Sequence, residues 1–180
     1  MPTCAEARPG SCPGCCAAAQ PVGSRLVIVG HGLVERQVLG PGSPGAAPAH
    51  IVVQLRRYRC RACNAILMVG PRGLVRRRWY GAGAIALALV MYAGGATSAA
   101  TRARVSPVHV VGASAVERWA TLVRWIEAAR RTELFGVAGL GQLGRRAIAG
   151  HVAHALAARA GRQFGDDLTE RAFDGASIAA

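Results

Sequence analysis

The chain contains no lysine. All 22 of its basic residues are arginine, so every fixed cation is a planar guanidinium that pairs bidentately with carboxylates and phosphates. Acids are scarce as well, nine in 180 residues, which leaves a formal net charge of +13, too large an imbalance to be incidental. The opening stretch Met1–Pro21 has no apolar core and carries Glu6 and Arg8. No secretory signal is visible in that composition, and a cytoplasmic setting is expected. No internal repeat is apparent, which excludes a solenoid or propeller.

The charge is unevenly placed. Residues 24–165 hold 20 arginines and four acids, whereas 1–23 is neutral and 166–180 is net −3. A polyanion is therefore the expected partner. DNA or RNA suits it better than an acidic protein, because guanidinium groups match phosphates and guanine edges.

Six cysteines are present, and four of them form two Cys-x-x-Cys pairs, Cys12/Cys15 and Cys60/Cys63. Two intervening residues let both sulfurs of a pair converge on one ion from a tight turn, and Zn²⁺ favours four such thiolates. The 44 residues between the pairs exceed the roughly 15 to 20 of the usual four-cysteine spacing, so free thiols or disulfides stand as the alternative. Cys16 directly follows the first pair and is an alternative ligand to Cys15. Cys4 lies in a Pro/Gly-bearing leader and is expected to be free.

Residues 26–29, 33–39 and 51–59 read as short strands, separated by Gly30-His31-Gly32 and by the loop at 40–48. They predict a two- or three-stranded antiparallel ribbon, in which Arg56, Arg57, Arg59 and Arg61 gather where the last strand enters the second knuckle. A connector at 69–78 carries Arg76, Arg77 and Arg78. Helices follow at 82–93 and 98–105, with Gly94-Gly95 as the turn between them. A third is predicted from Ser114, where Ser114 and Glu117 form a capping box, to about Arg130. Its polar side offers Ser114, Arg118, Thr121 and Arg124, and three helices of these lengths suit a helix-turn-helix that reads a major groove. An Ala-rich helix at about 145–160 and an acidic, solvated tail complete the chain. The predicted class is α+β, a zinc-ribbon-like module followed by a helix-turn-helix-like module and a C-terminal helix. The segments are 1–23, 24–68, 69–131 and 132–180.

Three other patterns are set aside. The uncharged run 81–101 is long enough to span a bilayer, but four glycines dilute it and Gly94-Gly95 interrupts it. Gly139-Leu140-Gly141-Gln142-Leu143-Gly144 matches a dinucleotide-binding fingerprint, yet the 36 residues after it are too few for that fold, and a flexible linker is expected instead. His151 and His154 lie one helical turn apart without a third ligand nearby.

The order Cys12-x-x-Cys15, Gly30-His31-Gly32-x-x-x-Arg36, Tyr58-Arg59-Cys60-Arg61-Ala62-Cys63 and a helical segment with Trp119 and Trp125 resembles the N-terminal region of bacterial insertion-sequence transposases. It also resembles small stand-alone proteins built from the same parts. The resemblance covers about residues 12–130. It implies zinc on Cys12, Cys15, Cys60 and Cys63 and DNA contact by the third helix, without the nuclease-like domain that performs strand transfer. The expectation is a non-enzymatic, nucleoid-associated DNA-binding protein. The alternative is a zinc-ribbon adaptor that docks a protein partner through its ribbon or its C-terminal helix, the latter also able to pair with a second copy of the chain.

Overall fold

The computed structural model describes residues 3–112, 118–160 and 167–180. A three-stranded antiparallel sheet is followed by five helices. The strands are β1 (Ile28–Gly40), β2 (Ala49–Cys60) and β3 (Ile66–Val69), in the order β1-β2-β3. The helices are α1 (Ala82–Ala93), α2 (Ser98–Val105), α3 (Ala120–Arg130), α4 (Arg145–Arg159) and α5 (Leu168–Ala179).

Two strand expectations change. Residues 26–29 and 33–39 do not form separate strands, because β1 runs unbroken through Gly30-His31-Gly32. Gly32 adopts φ +92° within it, an irregularity that a residue without Cβ accommodates without ending the strand. The third strand, β3, lies just past the second knuckle, at residues to which no strand was assigned. It pairs antiparallel with β2, placing Tyr58 opposite Leu67 and Arg59 opposite Ile66.

The chain divides into two compact units, Met1–Gln37 with Val52–Pro71, and Val38–Ile51 with Arg72–Ala180. The first has a small core of Cys12, Ala19, Ile28, Tyr58, Cys60 and Leu67. Tyr58 is fully buried there, and its hydroxyl donates to the Cys4 carbonyl at 2.8 Å.

The second unit is built around α1. Eight consecutive residues, Ala82–Leu89, are buried, so this helix has no solvent side. A segment apolar all round is what a central helix requires. Ala and Leu, strong helix formers, supply it. Gly94-Gly95 closes it with a Schellman motif. Gly95 takes φ +101°, its N–H donates to Tyr92 O, and the Ala96 N–H donates to Met91 O. Thr97 then caps α2 by accepting from the Ala100 N–H at 3.1 Å. No helix among the described residues is long and apolar enough to cross a membrane, and the run 81–101 is this buried helix plus its turn.

Among the described residues the third helix spans Ala120–Arg130. Ser114 and Glu117 lie outside the described residues, and Arg118 and Trp119 precede the helix. Trp125 is buried on its inner face with Leu122 and Ile126. Tyr80, Trp119 and Trp125 meet edge to face, with ring centroids 5.0–5.9 Å apart, an arrangement that suits their quadrupoles. α2 ends at Val105 and α3 starts at Ala120, and residues 113–117 between them lie outside the described residues. The segments expected at 69–131 and 132–180 share one core.

The C-terminal expectations change too. The glycine-rich stretch is a packed connection in which Leu140 is buried and the carbonyls of Gly141 and Leu143 accept from Arg130. The acidic tail is the helix α5, which buries Ala172, Phe173, Gly175 and Ala176. Its acids fall on the outer side, and the apolar spacing of Leu168, Ala172 and Ala176 drives the docking. The apolar side of the Ala-rich α4, expected to meet a partner, is likewise turned inward.

Glycines set how closely these helices approach. A Cβ at Gly175 would lie 1.8 Å from the Leu156 carbonyl oxygen, and one at Gly83 would lie 2.4 Å from the Phe173 ring. Gly175→Ala is expected to force α4 and α5 apart and to cost about 1–3 kcal/mol, read as a lower urea midpoint at unchanged m-value.

Candidate metal centre

Each Cys-x-x-Cys pair forms the same turn. In the first, the Cys12 N–H donates to Ala17 O, the Cys16 N–H donates to Cys12 O, and Cys16 takes φ +58°. In the second, the Cys60 N–H donates to Ala65 O, the Asn64 N–H donates to Cys60 O, and Asn64 takes φ +60°. Two unrelated pieces of sequence thus close into equivalent knuckles, with Cys15 matching Cys63 and Cys16 matching Asn64.

The knuckles bring Cys12, Cys15, Cys60 and Cys63 together, with all four Sγ atoms within 4.8 Å of one another. The Cys12–Cys63 and Cys15–Cys60 separations are 3.6 and 3.7 Å. A tetrahedral thiolate site with metal–sulfur bonds of about 2.3 Å has edges of about 3.8 Å, so the cage has the size that a metal such as zinc takes. All six cysteines are free thiols. Each knuckle contributes one buried sulfur, Cys12 or Cys60, and one exposed sulfur, Cys15 or Cys63. Cys16 is not part of the group, because the left-handed position after a knuckle carries its side chain elsewhere. Cys4 is also outside it. Among the described residues no other set of three or more His, Cys, Asp or Glu side chains gathers this way, and His151 instead places Nδ1 2.9 Å from Ala147 O.

The donor set is poised for a cation. The Gly14 N–H, with help from the Cys15 N–H and the other sulfurs, holds the Cys12 thiol down at about 7. Cys15 receives the Ala17 N–H, which favours its thiolate, but the sulfurs of Cys63, Cys12 and Cys60 together with burial push it up to about 12. One site therefore ionises readily, while its neighbour keeps a proton until a cation arrives.

The arginines near this centre separate by face. Residues opposite each other in an antiparallel pair share a side of the sheet. Arg57 and Arg59 lie with Met68 and Ile66, which are 65% and 49% exposed; Arg59 is exposed, whereas Arg57 is half-buried and its Nε is shut off from solvent. Arg56 lies on the other side with Tyr58 and Val69, half-buried. Arg61 is exposed within the second knuckle. The sequence grouped these four arginines without distinguishing their faces. It also missed Ile66 and Met68, although four apolar residues in a row at 66–69 were a usable strand signal.

In the helical unit Arg76 and Arg77 are exposed and Arg78 is half-buried. Arg118 and Arg124 are exposed, and Thr121 is half-buried. Other arginines there serve the fold. Arg104 donates to the carbonyls of Ala46 and Pro44, and Arg146 donates to those of Tyr92 and Ala96 while lying over the Tyr92 ring.

Comparison with models of known protein families, with curated protein sequences and with solved structures gives no match to this chain.

Cys15→Ser and Cys60→Ser are each expected to abolish stoichiometric metal binding. Cys16→Asn should retain it and gain about 0.5–1 kcal/mol, since Asn tolerates positive φ better than Cys. Mass spectrometry under non-denaturing conditions and thermal unfolding with and without chelator separate these outcomes. Because metal must displace the Cys15 proton, held up to about 12, affinity should fall by at least about tenfold per pH unit as pH drops through the neutral range, and more steeply below about 7, where Cys12 is protonated too. A competition titration against a chromophoric chelator measures that slope, and a flat profile would contradict four-thiolate ligation.

Proposed function

We propose that this chain is a zinc-stabilised nucleic-acid-binding protein, with DNA as the favoured partner, that binds rather than catalyses. Zinc is the favoured ion because four thiolates select a borderline-soft, tetrahedral cation over hard ones. In the first unit two of the six core residues are ligands, a core so small that metal binding and folding would be one process.

The observation that carries the reading is the exposed Arg59 on the sheet face it shares with Ile66 and Met68, with the half-buried Arg57 next to it on that face and the exposed Arg61 in the knuckle that ends the same strand. A guanidinium row fixed by a metal keeps its spacing, so little side-chain entropy is lost when phosphates bind. In this proposal the resemblance to insertion-sequence transposases is carried by the ribbon alone, through the two knuckles and the run Tyr58–Cys63. The base-reading role given to Ser114, Arg118, Thr121 and Arg124 does not enter it.

A second reading draws on Ile66 and Met68, whose apolar side chains share that face and suit a protein partner with an acidic rim.

Fluorescence anisotropy with labelled DNA across a salt series decides between them. Under the first reading log K falls linearly with log salt. Arg57→Gln and Arg59→Gln should each reduce the slope by about 0.9, the value of one phosphate contact, and chelator should abolish binding. No retention of DNA at low salt would sink the nucleic-acid reading, and an unchanged slope in both variants would move the contact away from this face.

A further inference from the structure

Residues 73–81 of the helical unit form a tied loop. The Ala82 N–H donates to Gly73 O at 2.8 Å, Leu74 and Gly81 form an antiparallel bridge, and the Arg78 N–H donates to Val75 O at 3.2 Å, closing a turn with Arg76 and Arg77 at its tip. On the far side the Leu39 N–H donates to Trp79 O at 2.7 Å, and Leu39 and Tyr80 form a parallel bridge. The backbone is therefore fixed, and the direction of each side chain is fixed with it. Tyr80 points into the core with Trp119 and Trp125, whereas Trp79 is 64% exposed.

Leaving an indole in water forfeits one of the largest apolar burials a side chain can supply. Trp119 and Trp125 are 6% and 2% exposed, so the fold can bury this residue type. Beside the exposed ring stand the exposed Arg76 and Arg77, and Arg77 holds φ +58°, a conformation that a non-glycine residue adopts at a cost. A rigid turn that presents two cations and one free aromatic face, with a strained residue at its tip, matches the chemistry of a polyanion that also offers flat π surfaces.

We propose that Arg76, Arg77 and Trp79 form a stacking site for single-stranded nucleic acid, in which the indole takes the face of an unpaired base and the two guanidinium groups take the flanking phosphates. The site rests on the nucleic-acid reading above and narrows its substrate class. In a duplex each base face is already covered by its neighbour, so the indole finds a partner only where bases are unpaired.

The test uses the full, metal-loaded chain with an oligothymidylate, a duplex of mixed sequence, and vesicles of equal phosphatidylserine and phosphatidylcholine, followed by tryptophan emission and by anisotropy. Trp79→Phe supplies the background from Trp119 and Trp125. Oligothymidylate is expected to quench the Trp79 component. Trp79→Ala should weaken oligothymidylate binding roughly tenfold, the size of one base–aromatic stack, and change duplex binding by less than about twofold. Arg77→Gly removes a cation while relieving the positive φ, so it should weaken binding of either nucleic acid roughly threefold with an equal or higher Tm. A purely structural turn would not separate those two readouts. Nucleic-acid binding with unchanged Trp79 emission and no effect of Trp79→Ala would overturn this site and leave the broader reading standing. A blue shift with vesicles but not with oligothymidylate would overturn it in favour of an anionic membrane surface. Absence of any nucleic-acid binding would remove the broader reading and this site with it.

Discussion

The convergence of four sulfurs from two distant turns is the constraint on which the N-terminal unit depends. Its core is a handful of side chains around Tyr58, and two of those are themselves cysteines of the cluster. A core that small cannot offset the entropy of ordering two long strands and a leader. A cation shared by both knuckles can, because it closes the chain across the 44 residues between the pairs. The equivalent hydrogen bonds of the two knuckles make the convergence specific. Each presents its sulfurs at a fixed pitch, one inward and one outward, and leaves the next residue in a left-handed conformation.

The helical unit solves a different problem with the same residue type that dominates the charge. Arg104, Arg130 and Arg146 each donate to two backbone carbonyls, while Arg159 and Arg171 each donate to one. Such carbonyls sit at helix ends and loop corners, where the regular backbone ladder leaves acceptor capacity to spare. A planar fork spans two acceptors at once, and a lysine ammonium offers no comparable geometry. The absence of lysine is thus consistent with the interior architecture as well as with an anionic partner. The positive surplus alone would have assigned all of these side chains to that partner.

Much of the fold was legible before any coordinates. The bounds of α1 and α2 follow from an Ala/Leu run ended by two glycines and from a short segment ended by Ser106-Pro107, which are local signals. The cysteine spacing gave the ligand set but left Cys15 and Cys16 equal. Only the match of Cys16 to Asn64 in the folded knuckles separates them. The parts that were misread depend on contacts distant in sequence. β1 continues through a Gly-His-Gly that looked like a turn, because pairing outweighs the local preference. α5 was hidden by its acids, although its apolar residues recur every fourth position. Trp119 and Trp125 are placed by Tyr80 from another part of the chain, a contact that helical periodicity alone does not reveal. Which side of the sheet each of four neighbouring arginines takes was beyond a linear reading, since β3 and its register decide it.

The allocation of β1 and β2 between the two units has a consequence for how this protein can be divided. Each long strand starts in one unit and finishes in the other, so residues 38–51 are enclosed in sequence by the metal-binding unit and belong in space to the helical one. A cut at Pro71 would strip the helices of Leu39, the partner of Trp79 and Gly81, and would leave the ribbon with a hairpin end whose packing had been removed. Neither half can be transplanted as a contiguous cassette, and damage at the sulfur cage has an uninterrupted main-chain route into the segment that flanks the central helix.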